Sequence, residues 1–150
     1  MAAEYLANEA QNVSLNAPII FNASIPCTRG YVYHEDGTGI FILRGITTQC
    51  YATYKVTYNG NISVPSGTAA PIAVAITVNG AERPTSKAIV SPTAVDSYSN
   101  VTSTAIIKVP RGCCFTLAVE SVSAVTNDPT ATPTQVISVQ NSNFVVERIA

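Results

Sequence analysis

Ile72-Ala73-Val74-Ala75-Ile76-Thr77-Val78, then Asn79-Gly80, then Ala81-Glu82-Arg83-Pro84 leading on to Ala88-Ile89-Val90, is the stretch whose reading decides the fold. Asn-Gly between two apolar runs is the strongest short-range hairpin signal, because both residues tolerate the positive φ that a type I′ turn imposes at its two central positions. Successive side chains of a strand point to opposite faces, so Ile72, Val74, Ile76 and Val78 make a bulky face and Ala73, Ala75 and Thr77 a thin one. The bulky face is expected to fill a core. The thin face lets another sheet or subunit approach closely, which makes Ala73, Ala75 and Thr77 candidate contacts between copies of the chain.

The sequence on both sides of this hairpin reads as further strands. Tyr31-Val32-Tyr33-His34 and Ile40-Phe41-Ile42-Leu43-Arg44 flank Glu35-Asp36-Gly37-Thr38-Gly39, a polar loop of hairpin length with Glu35 and Asp36 as an exposed tip. From Cys50 to Tyr58, apolar Ala52, Tyr54, Val56 and Tyr58 alternate with Thr53, Lys55 and Thr57, the pattern of a half-buried strand. Asn59-Gly60-Asn61 is expected to bend the chain there. Tyr98 to Val109 alternates in the same way, Val109-Pro110-Arg111-Gly112 is a turn, and Cys113, Phe115, Leu117 and Val119 share one face of the next strand. A Thr- and Pro-rich loop from Thr126 to Thr134 offers Asn127 and Asp128 as a second exposed tip. Phe144 to Ile149, apolar on both faces, is expected to lie centrally, after a polar turn at Gln140 to Asn143.

Residues 1–16 show no clean period and are expected to form an N-terminal arm, with Tyr5, Leu6, Val13 and Leu15 as its gripping side chains, ahead of one domain spanning 17–150. No helix of three turns is apparent. About eight to ten short strands with regularly spaced turns predict an all-β sandwich or jelly roll.

Hydrophobic residues make up 47% of the 150 residues and charged residues 11%, against roughly 25% charged in a typical soluble chain. Polarity therefore rests on Ser, Thr and Asn, as in extracellular or particle-bound β proteins. The net charge is −1 and no run of Lys or Arg occurs in the sequence, so nucleic acid is not an expected partner. Met1 to Leu6 has neither a basic nor an apolar region of the kind that makes a signal peptide. No apolar run approaches the roughly 18 residues of a membrane span, so synthesis in a cytoplasm and no membrane partner are expected.

Sites of chemistry are hard to assemble from what remains. Cys27, Cys50, Cys113 and Cys114 contain no C-x-x-C pair and are expected to be buried free thiols. His34 reads as a surface loop histidine, and Glu35-Asp36 lacks the frame of a calcium loop. No nucleophile elbow or comparable signature occurs. No catalytic residue, metal or cofactor is therefore expected, and the chain reads as a non-enzyme. The N-x-[ST] triplets at Asn12, Asn22, Asn61 and Asn100 are what chance supplies in so Asn- and Thr-rich a chain. The tyrosines at 31, 33, 51, 54, 58 and 98 sit where alternation calls for packing in a core or a subunit interface, and Tyr54 and Tyr58 join Ala73, Ala75 and Thr77 as candidate subunit contacts.

Three stretches together carry a resemblance: Pro18-Ile19-Ile20-Phe21-Asn22, the strand Cys50-Tyr51-Ala52-Thr53-Tyr54-Lys55-Val56-Thr57-Tyr58, and the Val78-Asn79-Gly80 hairpin with the ending Asn143-Phe144-Val145-Val146-Glu147-Arg148-Ile149. Over residues 17–150 the chain resembles the TNF- and C1q-like jelly rolls, especially bacterial variants such as the C-terminal domain of the spore-surface collagen-like protein BclA. That resemblance implies a ten-stranded jelly roll assembled as a homotrimer, one sheet of each subunit facing the threefold axis. A collagen-like stalk is missing, since the 8 glycines never repeat by three. In this the chain is similar to small jelly-roll proteins of phages and prophages. The resemblance implies a homotrimeric decoration protein that stabilises a capsid, with the major capsid protein as partner and the virion surface as its location. A receptor- or glycan-binding head of a fibre or surface protein is the alternative.

Overall fold

The computed structural model describes residues 1–25, 30–124 and 136–150. Its strands form two antiparallel sheets. The first contains β1 (Ala2–Ala7), β2 (Gln11–Ser14), β3 (Ala23–Ile25), β6 (Tyr51–Ser63), β10 (Ser99–Pro110) and β12 (Val136–Arg148), in the order β10-β6-β12-β1-β3 with β2 also on β12. The second contains β4 (Val32–His34), β5 (Phe41–Arg44), β7 (Ile72–Val78), β8 (Ala81–Glu82), β9 (Ala88–Val90) and β11 (Cys114–Val122), in the order β4-β5-β11-β7-β8 with β9 also on β7.

The hairpin forms as its residues dictate. Asn79 and Gly80 take φ of 52° and 82°, and Val78 faces Ala81 across the two-residue turn. Asn79 also accepts the Thr116 N–H at 2.9 Å, which ties the turn to β11. Pro84 cannot donate to a ladder, so the return strand breaks into β8 and β9 around a 3₁₀ turn at Pro84–Ser86. The Ser86 hydroxyl replaces the missing ladder partner by accepting the Ile76 N–H at 2.9 Å.

Ile72, Val74 and Ile76 point into the space between the sheets and are buried. Across from them β6 contributes Ala52, Tyr54, Val56 and Tyr58, all fully buried. Aromatic rings link the layers, with Phe41 of the second sheet 4.6 Å from Tyr5 and 4.9 Å from Phe144, both of the first. Tilted and edge-on contacts of this kind add roughly 0.5–1.5 kcal/mol each beyond area burial.

Residues 1–16 are not an arm. β1 lies between β12 and β3, with Tyr5 opposite Phe144, and β2 pairs with β12, with Val13 opposite Ile137. Tyr5 and Val13 are core residues, while Leu6 and Leu15 are half-buried. β12 would otherwise expose a long row of unpaired backbone groups, which this segment satisfies. Its inward alternation of Ala3, Tyr5 and Ala7 is faint because alanine also stands outward at Ala2.

Two expected turns are strand. β6 runs straight through Asn59-Gly60-Asn61, and β12 continues through Gln140–Asn143 with a bulge where the register shifts and Asn141 takes φ of 52°. Gly60 serves packing, not turning: a Cβ there would lie 2.3 Å from the Tyr58 hydroxyl and 2.4 Å from Ser142 Oγ. Those two oxygens share a hydrogen bond of 2.9 Å that needs the vacated space.

The expected placements of His34 and of three cysteines are also overturned. The His34 side chain is fully buried, stacked on Phe41 at 4.3 Å, with Nε2 2.9 Å from the Thr38 carbonyl oxygen. Cys50, Cys113 and Cys114 are exposed free thiols, because β6 begins after Cys50 and Cys113 still belongs to the turn, its N–H donating to the Pro110 carbonyl. Cys27 lies outside the described residues.

Candidate functional site

A trimer contact must have surface to lose, and the five residues expected there have none. Tyr54 and Tyr58 point from the first sheet into the core and are 0% exposed. Ala73, Ala75 and Thr77 lie on β7 of the other sheet and are 0%, 0% and 3% exposed within a single chain, the two alanines packing with Val122. The set is thus divided between two sheets and already covered.

Tyr54 has an internal role. Its hydroxyl donates to the Arg44 carbonyl at 2.6 Å and reaches the Tyr31 carbonyl at 3.2 Å, joining β6 to the end of β5. Tyr54→Phe removes that donor from the Arg44 carbonyl, while the Tyr31 carbonyl keeps the Arg44 N–H at 2.9 Å, and a loss of about 1 kcal/mol is expected in thermal or urea unfolding. Unchanged stability would show that water replaces the hydroxyl there.

Of the expected loop tips, Glu35 and Asp36 are exposed, whereas Asn127 and Asp128 lie outside the described residues. No group of three or more His, Cys, Asp and Glu side chains that could hold a metal occurs among the described residues.

The outer face of the first sheet presents rungs of polar side chains. Register places Asn100, Asn61 and Gln140 in one rung, Thr102, Asn59, Asn143 and Leu6 in the next, and Thr104, Thr57, Val145 and Glu4 in a third. These rungs are cross-bonded by side chains. Asn100 Nδ2 donates to Asn59 Oδ1 at 3.0 Å, Thr102 Oγ1 donates to the same oxygen at 3.2 Å, Thr57 and Thr104 hydroxyls meet at 3.2 Å, and Asn143 Nδ2 donates to Glu4 Oε1 at 3.1 Å. Glu4 is the one ionisable side chain in the three rungs, and the pair Lys55–Glu147 follows one rung further on. In the sequence these positions look like the ordinary solvent side of an alternating strand. The signal that sets them apart is a run of Asn and Thr with one ionisable side chain, Glu4, in three rungs.

No protein-family model matches the sequence, and no curated protein is significantly similar to it in sequence. Solved structures share its architecture. The globular domain of zebrafish complement 1qA protein superposes with a TM-score of 0.60 at 14% identity, covering 99% of this chain and 97% of that one. The fold is the TNF- and C1q-like jelly roll. Eiger TNF from S. frugiperda gives 0.65 at 16% identity over 100% of this chain and 92% of that one, and murine APRIL 0.53 at 10% identity over 97% and 98%. At such identities the likeness is one of fold, and the jelly roll extends through β1 and β2 rather than beginning at residue 17.

Proposed function

We propose that the protein is a non-catalytic structural module that assembles as a homotrimer through the outer face of its first sheet, and that the trimer decorates and stabilises a virion shell. The observation that carries this reading is the cross-bonded ladder of Asn and Thr on that face, with Glu4 as its one ionisable member. Depletion of charge marks the buried centre of protein interfaces. Side chains already held by neighbours lose little entropy when a partner covers them, so more of the contact energy remains as affinity. Self-association in TNF- and C1q-like domains agrees with this surface, and a capsid protein is the partner the decoration reading adds. A ligand that binds only the assembled shell stabilises it by mass action, in proportion to RT ln(1 + [L]/Kd).

Light scattering in line with gel filtration is expected to give three times the 15.7 kDa chain mass. Thr57→Lys with Asn59→Lys places like charges at the subunit contact, and a folded monomer is expected in its place. A wild-type monomer, or a double variant that stays trimeric, overturns the interface. The trimer is then expected to raise the melting temperature of undecorated shells. Binding to cells or a glycan array without any effect on shells would instead make it a receptor- or glycan-binding head.

A further inference from the structure

The chain carries a net charge of −1, yet its cations are unevenly placed. Three of the four described arginines, Arg44 at the end of β5, Arg111 in the turn after β10 and Arg148 at the end of β12, meet at one end of the barrel with Lys108. Backbone bonds draw these segments together: Arg111 N–H donates to the Cys50 carbonyl at 3.0 Å and Gly112 N–H to the Gly45 carbonyl at 3.0 Å, while Arg148 stands opposite Tyr54 in the sheet. Neither close acid–base side-chain pair among the described residues, His34–Asp36 and Lys87–Glu82, includes any of these four cations.

Arg148 is held for recognition. Its guanidinium carbon sits 4.5 Å from the Tyr31 ring centre and 5.4 Å from that of Tyr54, which fixes the plane of the fork. Nε donates to the Ala150 backbone oxygen, while Nη1 is buried with no hydrogen-bond partner. An unpaired buried donor on a permanent cation is a cost that an incoming oxyanion removes. Two adjoining cavities of about 550 and 510 Å³ share Tyr31, Arg148 and Ala150 as walls. Around them Ile46, Tyr51 and Ile149 are 47%, 50% and 48% exposed.

We propose that this end of the barrel is a docking surface for an acidic, partly apolar segment of a partner protein. Carboxylates of the segment meet Arg44, Arg111 and Arg148, and its apolar side chains cover Ile46, Tyr51 and Ile149. Charge complementarity selects the acid. The half-exposed apolar side chains select a peptide over a polyphosphate, which has no apolar groups to set against them. The inference goes beyond the trimer reading and does not depend on it, because every residue invoked belongs to one chain and lies outside the Asn- and Thr-rich rungs.

Fluorescence anisotropy with a fluorescein-labelled peptide of alternating glutamate and leucine tests it, beside the glutamine-leucine counterpart and a labelled single-stranded DNA. The acidic peptide is expected to bind and to weaken as salt rises, while the other two do not bind comparably. Arg148 is packed between rings and its replacement could unfold that end, so the exposed Arg44 and Arg111 carry the variant test. Arg44→Gln with Arg111→Gln is expected to weaken binding by about tenfold or more, and Lys87→Gln, on the other side of the barrel, to leave it unchanged. Absence of binding, equal affinity for the glutamine peptide, an unaffected double variant, or DNA bound as tightly as the peptide would each overturn the proposal. Running the same titration on the Thr57→Lys, Asn59→Lys variant separates it from the trimer reading, since binding should survive there.

Discussion

Gly45→Ala is expected to lose about 3 kcal/mol or more and to melt roughly 6–12 °C below the wild type in differential scanning calorimetry. A Cβ on Gly45 would lie 2.0 Å from the Pro110 carbonyl oxygen, 2.9 Å from the Pro110 carbonyl carbon and 3.1 Å from the Cys113 carbonyl oxygen. All three are backbone atoms and cannot swing aside as a side chain does. Gly45 is also held in place, its N–H donating to the Cys113 carbonyl at 2.8 Å and its carbonyl accepting the Gly112 N–H at 3.0 Å. Relief therefore requires separating the end of β5, in one sheet, from the turn after β10, in the other, and breaking both hydrogen bonds. Gly67 makes the contrast. It takes φ of 84° with no atom within 4 Å of a built Cβ, so Gly67→Ala costs only the left-handed backbone penalty of about 1–2 kcal/mol. If Gly45→Ala proves no worse than Gly67→Ala, the close approach at Gly45 is not the constraint it is taken to be.

Gly45 also illustrates why some of the fold was legible in the sequence and some was not. Features written in a few adjacent residues read directly: the positive φ demanded at Asn79-Gly80, the inward alternation of β6 and β10, and the two-sided apolar pattern that puts β12 between β6 and β1. Features that depend on a distant partner did not. Gly60 looks like a bend and is instead the space required by the Tyr58–Ser142 hydrogen bond, whose partner is 84 positions away from Tyr58. The first strand looked like an arm because its pairing with β12 joins the two ends of the chain, and alanines blur its period. For the site, the difficulty was of another kind. Alternation reports which residues face inward, but it does not distinguish an outer face awaiting a subunit from one facing water. The small size of Ala73, Ala75 and Thr77 suggests an interface, whereas smallness there reflects cover already present within the chain. The gathering of Arg44, Arg111 and Arg148 is equally silent in sequence, since more than thirty positions separate each from the next and only the strand order unites them.

Burial of the phenol in that long-range bond makes stability sensitive to alkali. The Tyr58 phenol is fully buried, and burial raises its pKa well above the ordinary value of 10.0, an effect the hydrogen bond from Ser142 offsets only in part. Below about pH 10 the phenol is protonated in both folded and unfolded chains and contributes no pH dependence. Above it, the unfolded chain releases the proton while the folded one still holds it, so unfolding is favoured increasingly as pH rises. The expected loss from this residue is about 1.4 kcal/mol per pH unit from roughly pH 10 upward. Tyr58→Phe removes that slope. At neutral pH the variant is expected to be less stable by about 1 kcal/mol, because Ser142 Oγ loses its partner. The two stability curves should therefore cross on the alkaline side, with the phenylalanine variant the more stable beyond the crossing. Urea unfolding of both proteins at a series of pH values measures this, and the difference between them isolates Tyr58 from the other tyrosines. Parallel curves above pH 10 would mean that the phenol ionises as easily in the folded chain as in the unfolded one, and that the buried Tyr58–Ser142 contact is open to water.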